Sequence, residues 1–447
     1  MLRTGASLLL AALAFLPSTG CGIPSGSYLR IGGAARVEYA PSPLSLKEKA
    51  ARFQDLIRQH ISPEGLNVYI LTGELTADEA METVTLSDGA IWTGVSLGTQ
   101  CLRYAVTGEE EAREEIRQLA RGLHALHEVT GIRGHFARVM ARRTTPNPRE
   151  GGTWYPGSGR WSGYRWKGDT SKDQYSGIIF GLALAATLSD DPEVKALATG
   201  DARAAADHLL ENGYQIMGPE GRTTFGDLRG RVWCIPIGVN ALIDLAAVKT
   251  AAVATGDPRY VDAYSDLIRR GYASAAVWAK FQFFGRSNGN NDVMAMLSLF
   301  NLLRLEKDPK VRKHLRASCR RFREYVRYDG NSFFNFILAW GLGGDPQLED
   351  DGALTLRLFP MEKRNFSTDS TGRPDIRRAF WNGWRGRPQA IYPLPINYRP
   401  QSTWVWRDNA RQLKNVQGEE GLNRAAPTDY LAAYWIGRYL GYIGPGD

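Results

Sequence analysis

Along most of this 447-residue chain, long segments that are apolar on every side alternate with segments charged on one face. The apolar segments are 88–106, 173–188, 235–254, 291–305, 332–342 and 428–443, all rich in Gly, Ala and Leu. Each of the first five is followed by an amphipathic partner: 109–130, 192–212, 258–280, 309–328 and, more weakly, 347–358. A helix apolar all round must be covered all round, whereas an amphipathic one faces water on one side. Residues 46–61, apolar at Leu46, Ala50, Phe53, Leu56 and Ile57, supply an outer partner for the last apolar segment. Asp-Pro pairs at 191–192, 257–258, 308–309 and 345–346 mark outer-helix starts, because Asp caps and Pro suits the first turn. Six inner and six outer helices predict an all-α fold, an (α/α)6 toroid. The alternative, a superhelical repeat array, would not need the long connections 131–172, 214–234 and 363–427.

In such a toroid the inner helices run one way, so their N-termini share one rim. The segment 165–188, RWKGDTSKDQYSGIIFGLALAATL, is the clearest case: a charged opening runs into a helix that must be buried. Thr170 or Ser171 can cap it. The starts of the six inner segments offer Asp88 and Trp92; Asp169, Lys172, Asp173 and Gln174; Trp233 and Asn240; Asn288, Asn290, Asn291 and Asp292; Asn331 and Asn335; Thr428 and Asp429. Capping alone accounts for one polar residue per start, such as Asp88, Asn331 or Thr428. It accounts less well for Asp169 with Asp173, or for the run NGNND at 288–292.

The long connections rise over the same rim. They carry Trp154, Tyr155, Trp161, Tyr164 and Trp166 in the first and Trp381, Trp384, Tyr392, Tyr398, Trp404 and Trp406 in the last, which also holds Lys363, Arg364, Arg373, Arg377, Arg378, Arg385, Arg387, Arg399, Arg407 and Arg411 against Asp369, Asp375 and Asp408. Aromatic faces stack on sugars, and the guanidinium fork matches carboxylate or sulfate. Packing of the loops onto the core, and salt bridges within them, would use the same residues.

Two carboxylates flanking a glycosidic bond can hydrolyse it, one protonating the leaving oxygen and the other activating water or attacking the sugar. Asp88 and Asp173 are the expected pair, with Asp169 or Asp292 as substitutes. Trp92, Trp154, Trp166, Lys172, Gln174, Trp233, Asn291, Asn335 and Asp429 are the expected sugar contacts. His124 and His127 fall in an outer helix and His135 opens a rim loop. No metal-ligand triad, phosphate loop or nucleophile–His–Asp order is recognisable, so no metal or cofactor is expected.

The first residues, MLRTGASLLLAALAFLPSTGC, have a basic residue, an apolar run and small residues before Cys21. They predict a signal peptide over 1–21 with a lipobox-like end, lipidated at Cys21 and retained in a bacterial envelope, periplasmic or anchored at the outer membrane. The lipobox match is imperfect, with Ser18 where Leu is usual. Residues 22–43, rich in Gly, Ser and Pro, predict a tether, and 44–447 a single toroid domain. No later stretch reads as long and apolar enough to span a membrane. The formal net charge of +8 favours an anionic partner. Scattered Lys and Arg without a recognition motif argue against nucleic acid. Cys101, Cys234 and Cys319 fit no metal spacing and read as small buried residues. A monomer is expected.

With DGAIWTG, SKDQYSG and PTDYLAAYWIGRY at inner-helix starts, residues 46–443 resemble the six-hairpin glycosidase superfamily. The resemblance implies an (α/α)6 toroid that acts on glycans, with acids at the inner-helix rim; Asp88 and Asp173 fall in such places. It selects no one family. The leading expectation is a secreted or lipid-anchored glycoside hydrolase acting on a poly- or oligosaccharide, anionic ones included. A polysaccharide lyase is the alternative, with His135 or Tyr175 as base and Asn288 to Asn291 or the Arg-rich loop neutralising a uronate. A non-catalytic glycan-binding envelope lipoprotein is the third.

Overall fold

The computed structural model describes residues 43–72, 80–85, 88–145, 152–280, 289–361, 363, 367–382, 386–399, 404–415 and 423–447. The expected signal peptide with Cys21, the tether up to residue 42, and Asn288 lie outside them. In chain order the helices are α1 (Leu46–Gln59), α2 (Gly89–Thr107), α3 (Glu110–Glu128), α4 (Lys172–Leu188), α5 (Pro192–Glu211), α6 (Gly238–Thr255), α7 (Pro258–Arg269), α8 (Tyr272–Ala276), α9 (Gly289–Leu305), α10 (Pro309–Val326), α11 (Ser332–Leu342), α12 (Pro346–Leu358) and α13 (Thr428–Tyr439).

The inner helices α2, α4, α6, α9, α11 and α13 pack each on the next, and α13 packs back on α2, which closes the ring. The outer helices lie against them: α3 on α2, α5 on α4, α7 and α8 on α6, α10 and α12 on α11, and α1 on α13. This is the (α/α)6 toroid that the alternation predicts. Burial follows the pattern, since α4 is buried from Gln174 to Ala185 whereas α7 buries only Tyr260, Tyr264 and Leu267. Helix α6 is long and apolar enough to cross a membrane by composition, contrary to the expectation that none would be. Its apolar surface is instead covered by neighbours in the ring.

Helix boundaries follow local chemistry. Asp191, Asp257, Asp308 and Asp345 cap α5, α7, α10 and α12, each accepting backbone N–H groups ahead of a first-turn proline. The amphipathic segment expected at 258–280 divides into α7 and α8 at Gly271, whose φ of +81° L-residues rarely adopt. Between α1 and α12 the buried Lys49 ammonium donates to the carbonyls of Leu356 (3.3 Å), Arg357 (2.6 Å) and Phe359 (2.8 Å). It thereby satisfies the C-terminal carbonyls of α12.

The tightest contact in the ring joins α2 and α4. Gly94 faces Gly177 and Gly181, and a Cβ on Gly94 would lie 2.3 Å from the Gly177 carbonyl oxygen, whereas Gly98 leaves room for the Phe180 and Leu184 side chains. One on Gly181 would lie 2.3 Å from that of Gly94. Glycine at 94 on α2 and at 177 and 181 on α4 lets the backbones touch, as small residues do in close helix pairs.

The long outer-to-inner connections are folded, which the sequence reading did not foresee. Val139–Arg142, Tyr164–Lys167 and Trp154–Pro156 form a three-stranded antiparallel sheet, and Gln215–Gly218 pairs with Gly221–Asp227. Cys101 and Cys319 are buried as expected, but Cys234 is exposed on a rim hairpin.

Gly94→Ala should destabilise the protein by about 2–4 kcal/mol, since backbone faces the new methyl. Gly200→Ala, in α5 with open space around it, should be neutral or stabilising by up to about 1 kcal/mol. Denaturant midpoints of the two variants check the contrast.

Candidate active site

Asp88 stands at the start of α2, yet its side chain caps nothing. Its Oδ1 accepts from Arg138 Nη2 at 2.5 Å and from Gln174 Nε2 at 2.9 Å. Arg138 arrives from the loop before the first rim sheet, and also donates to the Asp169 carbonyl (3.1 Å) and Ser171 Oγ (3.4 Å). In the first turn of α4, Asp173 Oδ1 accepts from Ser171 Oγ and from the Gln174 backbone N–H at 3.1 Å. Neither expected hydroxyl caps α4, for Thr170 donates to the Phe136 carbonyl and Ser171 to Asp173.

Gln174 therefore ties the two acids together. Its backbone meets Asp173, its amide nitrogen meets Asp88, and its amide oxygen accepts from Ile91 N at 3.0 Å. Each acid has one oxygen fixed and one without a hydrogen bond among the described residues. Both line a single cavity of about 10 Å³ with Ile91, Trp92, Asn290, Val293 and Arg407, room for about one water. A larger groove of about 450 Å³ lies at the other end of the ring, along Lys195, Arg203 and Ala254, and has no carboxylate in its lining.

Other inner-helix starts join the same rim. Lys172 Nζ donates to Asn240 Oδ1 at 3.1 Å, linking α4 to α6. Burial lowers the Lys172 pKa. A turn at Val405–Arg407 spans α9, α11 and α13: a Cβ on Gly289 would strike the Arg407 carbonyl, Asn331 Nδ2 donates to the Trp406 carbonyl (2.8 Å), and Trp406 Nε1 donates to the Asp429 carbonyl (2.7 Å). Trp404 stacks on Trp92 at 5.1 Å, and the Arg407 guanidinium lies 5.7 Å from the Trp92 ring centre.

Several expected site residues lie elsewhere. Asp292 is buried in an ion pair with Lys280 at 2.5 Å, and Asp429 in one with Lys363 at 2.8 Å. Neither lines the cavity. Asp169 is exposed in a left-handed turn, φ 57°, where its carboxylate accepts from Thr224 N at 2.7 Å. Asn335 points outward to Asp351 of α12 at 2.7 Å. Asn290, not Asn291, faces the cavity. Trp166 is a core residue packed between His135 and Tyr155, and Trp154 is half-buried near Arg165. Trp233 is 95% exposed at a hairpin tip, the placing a rim platform for a ligand would need. Of the three suspected caps only Asn331 caps, through Phe334 N; Thr428 bonds Asn67 instead.

The two candidate lyase bases are sealed in. His135 is fully buried and burial pushes its pKa down to about 3, whereas burial pushes the Tyr175 hydroxyl, which donates to the Gly134 carbonyl, upward. The fold also gathers a trio the sequence spacing did not reveal. His124 and His127 of α3 both direct Nδ1 at Asp201 Oδ1 of α5, at 2.9 and 2.8 Å. His127 Nε2 accepts from Gly134 N at 2.8 Å, so its Nδ1 carries the proton and offers no lone pair to a metal. The trio braces two outer helices and lies away from the cavity.

Two rim residues, Arg138 and Asp329, escaped the sequence reading, and Arg407 was not distinguished from the other arginines of its loop. Arg138 gave no local signal, standing in a loop. Asp329, before the Asn331 cap, is half-buried, and burial raises its pKa to about 6 against the charges of Arg411, Arg399 and Lys280. A carboxyl raised in the folded state binds more protons there than in the unfolded chain. Stability should therefore fall as pH rises from about 4 to 6, and Asp329→Asn should flatten that part of a stability–pH curve.

No family model matches the chain, and no curated protein matches it. Solved structures similar to it include a family 76 glycoside hydrolase from a bovine Bacteroides thetaiotaomicron strain, with a TM-score of 0.49 and 9% identity over 89% of this chain and 78% of that one. An unsaturated glucuronyl hydrolase specific for heparin has a TM-score of 0.45 and 10% identity over 88% and 95%. A cellobiose 2-epimerase from Spirochaeta thermophila has 0.43 and 14% over 89% and 97%. These belong to the six-hairpin toroids the sequence resembles. At such scores and identities they carry no chemistry over to this chain, whose chemistry rests on its own cavity residues.

Proposed function

We propose that the chain is a glycan-active enzyme, a glycoside hydrolase in which Asp88 and Asp173 are the acid and base. The observation that carries the reading is that two carboxylates, each with one oxygen fixed and one free, line one cavity and are held by the same glutamine. A fixed oxygen orients each carboxyl, and the free one is available to a glycosidic oxygen or a water. Trp92 and Asn290 are the nearest groups for a sugar's apolar face and hydroxyls.

The elimination alternative is less well supported. His135 and Tyr175 are too buried to reach a uronate, and Arg138 is already engaged with Asp88.

Asp88→Asn and Asp173→Asn should each lower release of reducing ends from a cleaved glycan by about 10²–10⁴-fold, with melting temperature little changed. Asp169→Asn, whose backbone turn Asn tolerates, should keep activity. Undiminished turnover in either of the first two variants contradicts the reading. A product absorbing in the ultraviolet as a conjugated double bond would favour elimination, and glycan binding without turnover the non-catalytic alternative.

We also propose export and anchoring through lipidated Cys21, supported by the apolar run and small residues before it. Cys21→Ser should move the protein from the membrane to the soluble fraction of the envelope. Unchanged partitioning refutes it.

A further inference from the structure

We propose that Arg407 is the specificity residue of this mouth, recognising a carboxylate or sulfate on the glycan. The inference rests on the reading of the cavity as a glycan site, and adds that the glycan is anionic.

Arg407 differs from the paired arginines of its loop, and unlike Arg377, Arg378 and Arg387, which also have no side-chain partner among the described residues, it lines the cavity. Arg373 pairs with Asp375 at 2.6 Å, Arg399 donates to the Leu394 (2.9 Å) and Gly330 (3.1 Å) carbonyls, and Arg411 donates to the Ile391 carbonyl. Arg407 makes no ion pair or side-chain hydrogen bond among the described residues; its guanidinium lies over the Trp92 ring. A half-buried guanidinium with several unused N–H donors is poorly satisfied. Asp88 already has Arg138 as its counter-charge, and Asp173 Oδ1 is held by Ser171 and the Gln174 N–H, with no bond from Arg407 to either among the described residues.

The backbone that carries it is firmly set. Trp404 is wedged between Trp92 and Phe333 at 5.1 Å each, Trp406 is bonded at both its indole and its carbonyl, and Gly289 alone lets α9 approach the Arg407 carbonyl. A planar cation on a rigid turn, its donors unclaimed among the described residues and its side chain lining the same cavity as the two acids, suits bidentate recognition of a planar or tetrahedral anion. The cavity is too small for a sugar ring while the guanidinium covers Trp92. Swinging the side chain outward would bare the indole face and carry the charge to the ligand in one movement.

The test is an array of neutral, uronate-bearing and sulfated oligosaccharides, including carboxyl-reduced twins of the uronates, probed with the full chain and with Arg407→Gln and Arg407→Lys. Wild type should prefer anionic members. Arg407→Gln should lose at least about tenfold in affinity for them and none for reduced twins, while Arg407→Lys, which keeps the charge but not the fork, should fall between. The uronate and sulfate arms tell which anion is taken. Melting curves report folding, and Arg407→Lys serves if the glutamine variant unfolds. A neutral preference in wild type, or equal losses on anionic and reduced members, overturns the proposal. Turnover is scored separately: Arg407-dependent binding without cleavage defeats the hydrolase reading alone, and cleavage of neutral glycans unaffected at Arg407 defeats this inference alone.

Discussion

Glycine-to-glycine contact between α2 and α4 sets the geometry of everything at the mouth. Gly94, Gly177 and Gly181 remove the side chains that would hold the two helices apart, so that their backbones meet, and Gly98 makes room for the Phe180 ring. Only at that spacing can the side chain of Gln174, on α4, reach Asp88 and Ile91 N at the start of α2 while its own N–H serves Asp173. The inner ring thus supplies more than a core. It converts a packing requirement deep between two helices into the placement of two acids at their ends.

The rim carries more acids than it exposes to the cavity, and their partners sort them. Asp292 and Asp429 are buried against Lys280 and Lys363. Desolvating two charges costs much of what their attraction returns, but removing one partner would leave the other buried and unpaired. Such pairs fix how α9 and α13 meet the loops above them. Asp88 and Asp173 differ in kind: their hydrogen bonds hold one oxygen each and leave the second unbound. Arg407 is their counterpart among the cations, positioned by backbone contacts and with no ion pair or side-chain hydrogen bond among the described residues.

Much of the fold was legible in the sequence because burial on all sides is itself a composition. The segments 173–188 and 332–342 contain almost nothing that could face water, and the Asp-Pro pairs carry their capping chemistry locally. The rim hairpins were not legible: strands such as Val139–Arg142 are too short for a period of two to stand out, and their pairing partners are distant in sequence. At the site, helix polarity alone sufficed to gather Asp88, Trp92 and Asp173. It did not separate them from Asp292 and Asp429, whose lysine partners lie 12 and 66 residues away. Nor did it distinguish Asp88 from a cap, since that depends on where Arg138 arrives.

The most direct measurement is a crystal structure of the Asp173→Asn protein soaked with an oligosaccharide that the wild type cleaves. The account predicts a glycosidic oxygen lying between Asp88 and residue 173, with the sugar against the Trp92 face that Arg407 has vacated. A glycan bound only at the outer rim, around Trp233 and away from Asp88, would contradict it.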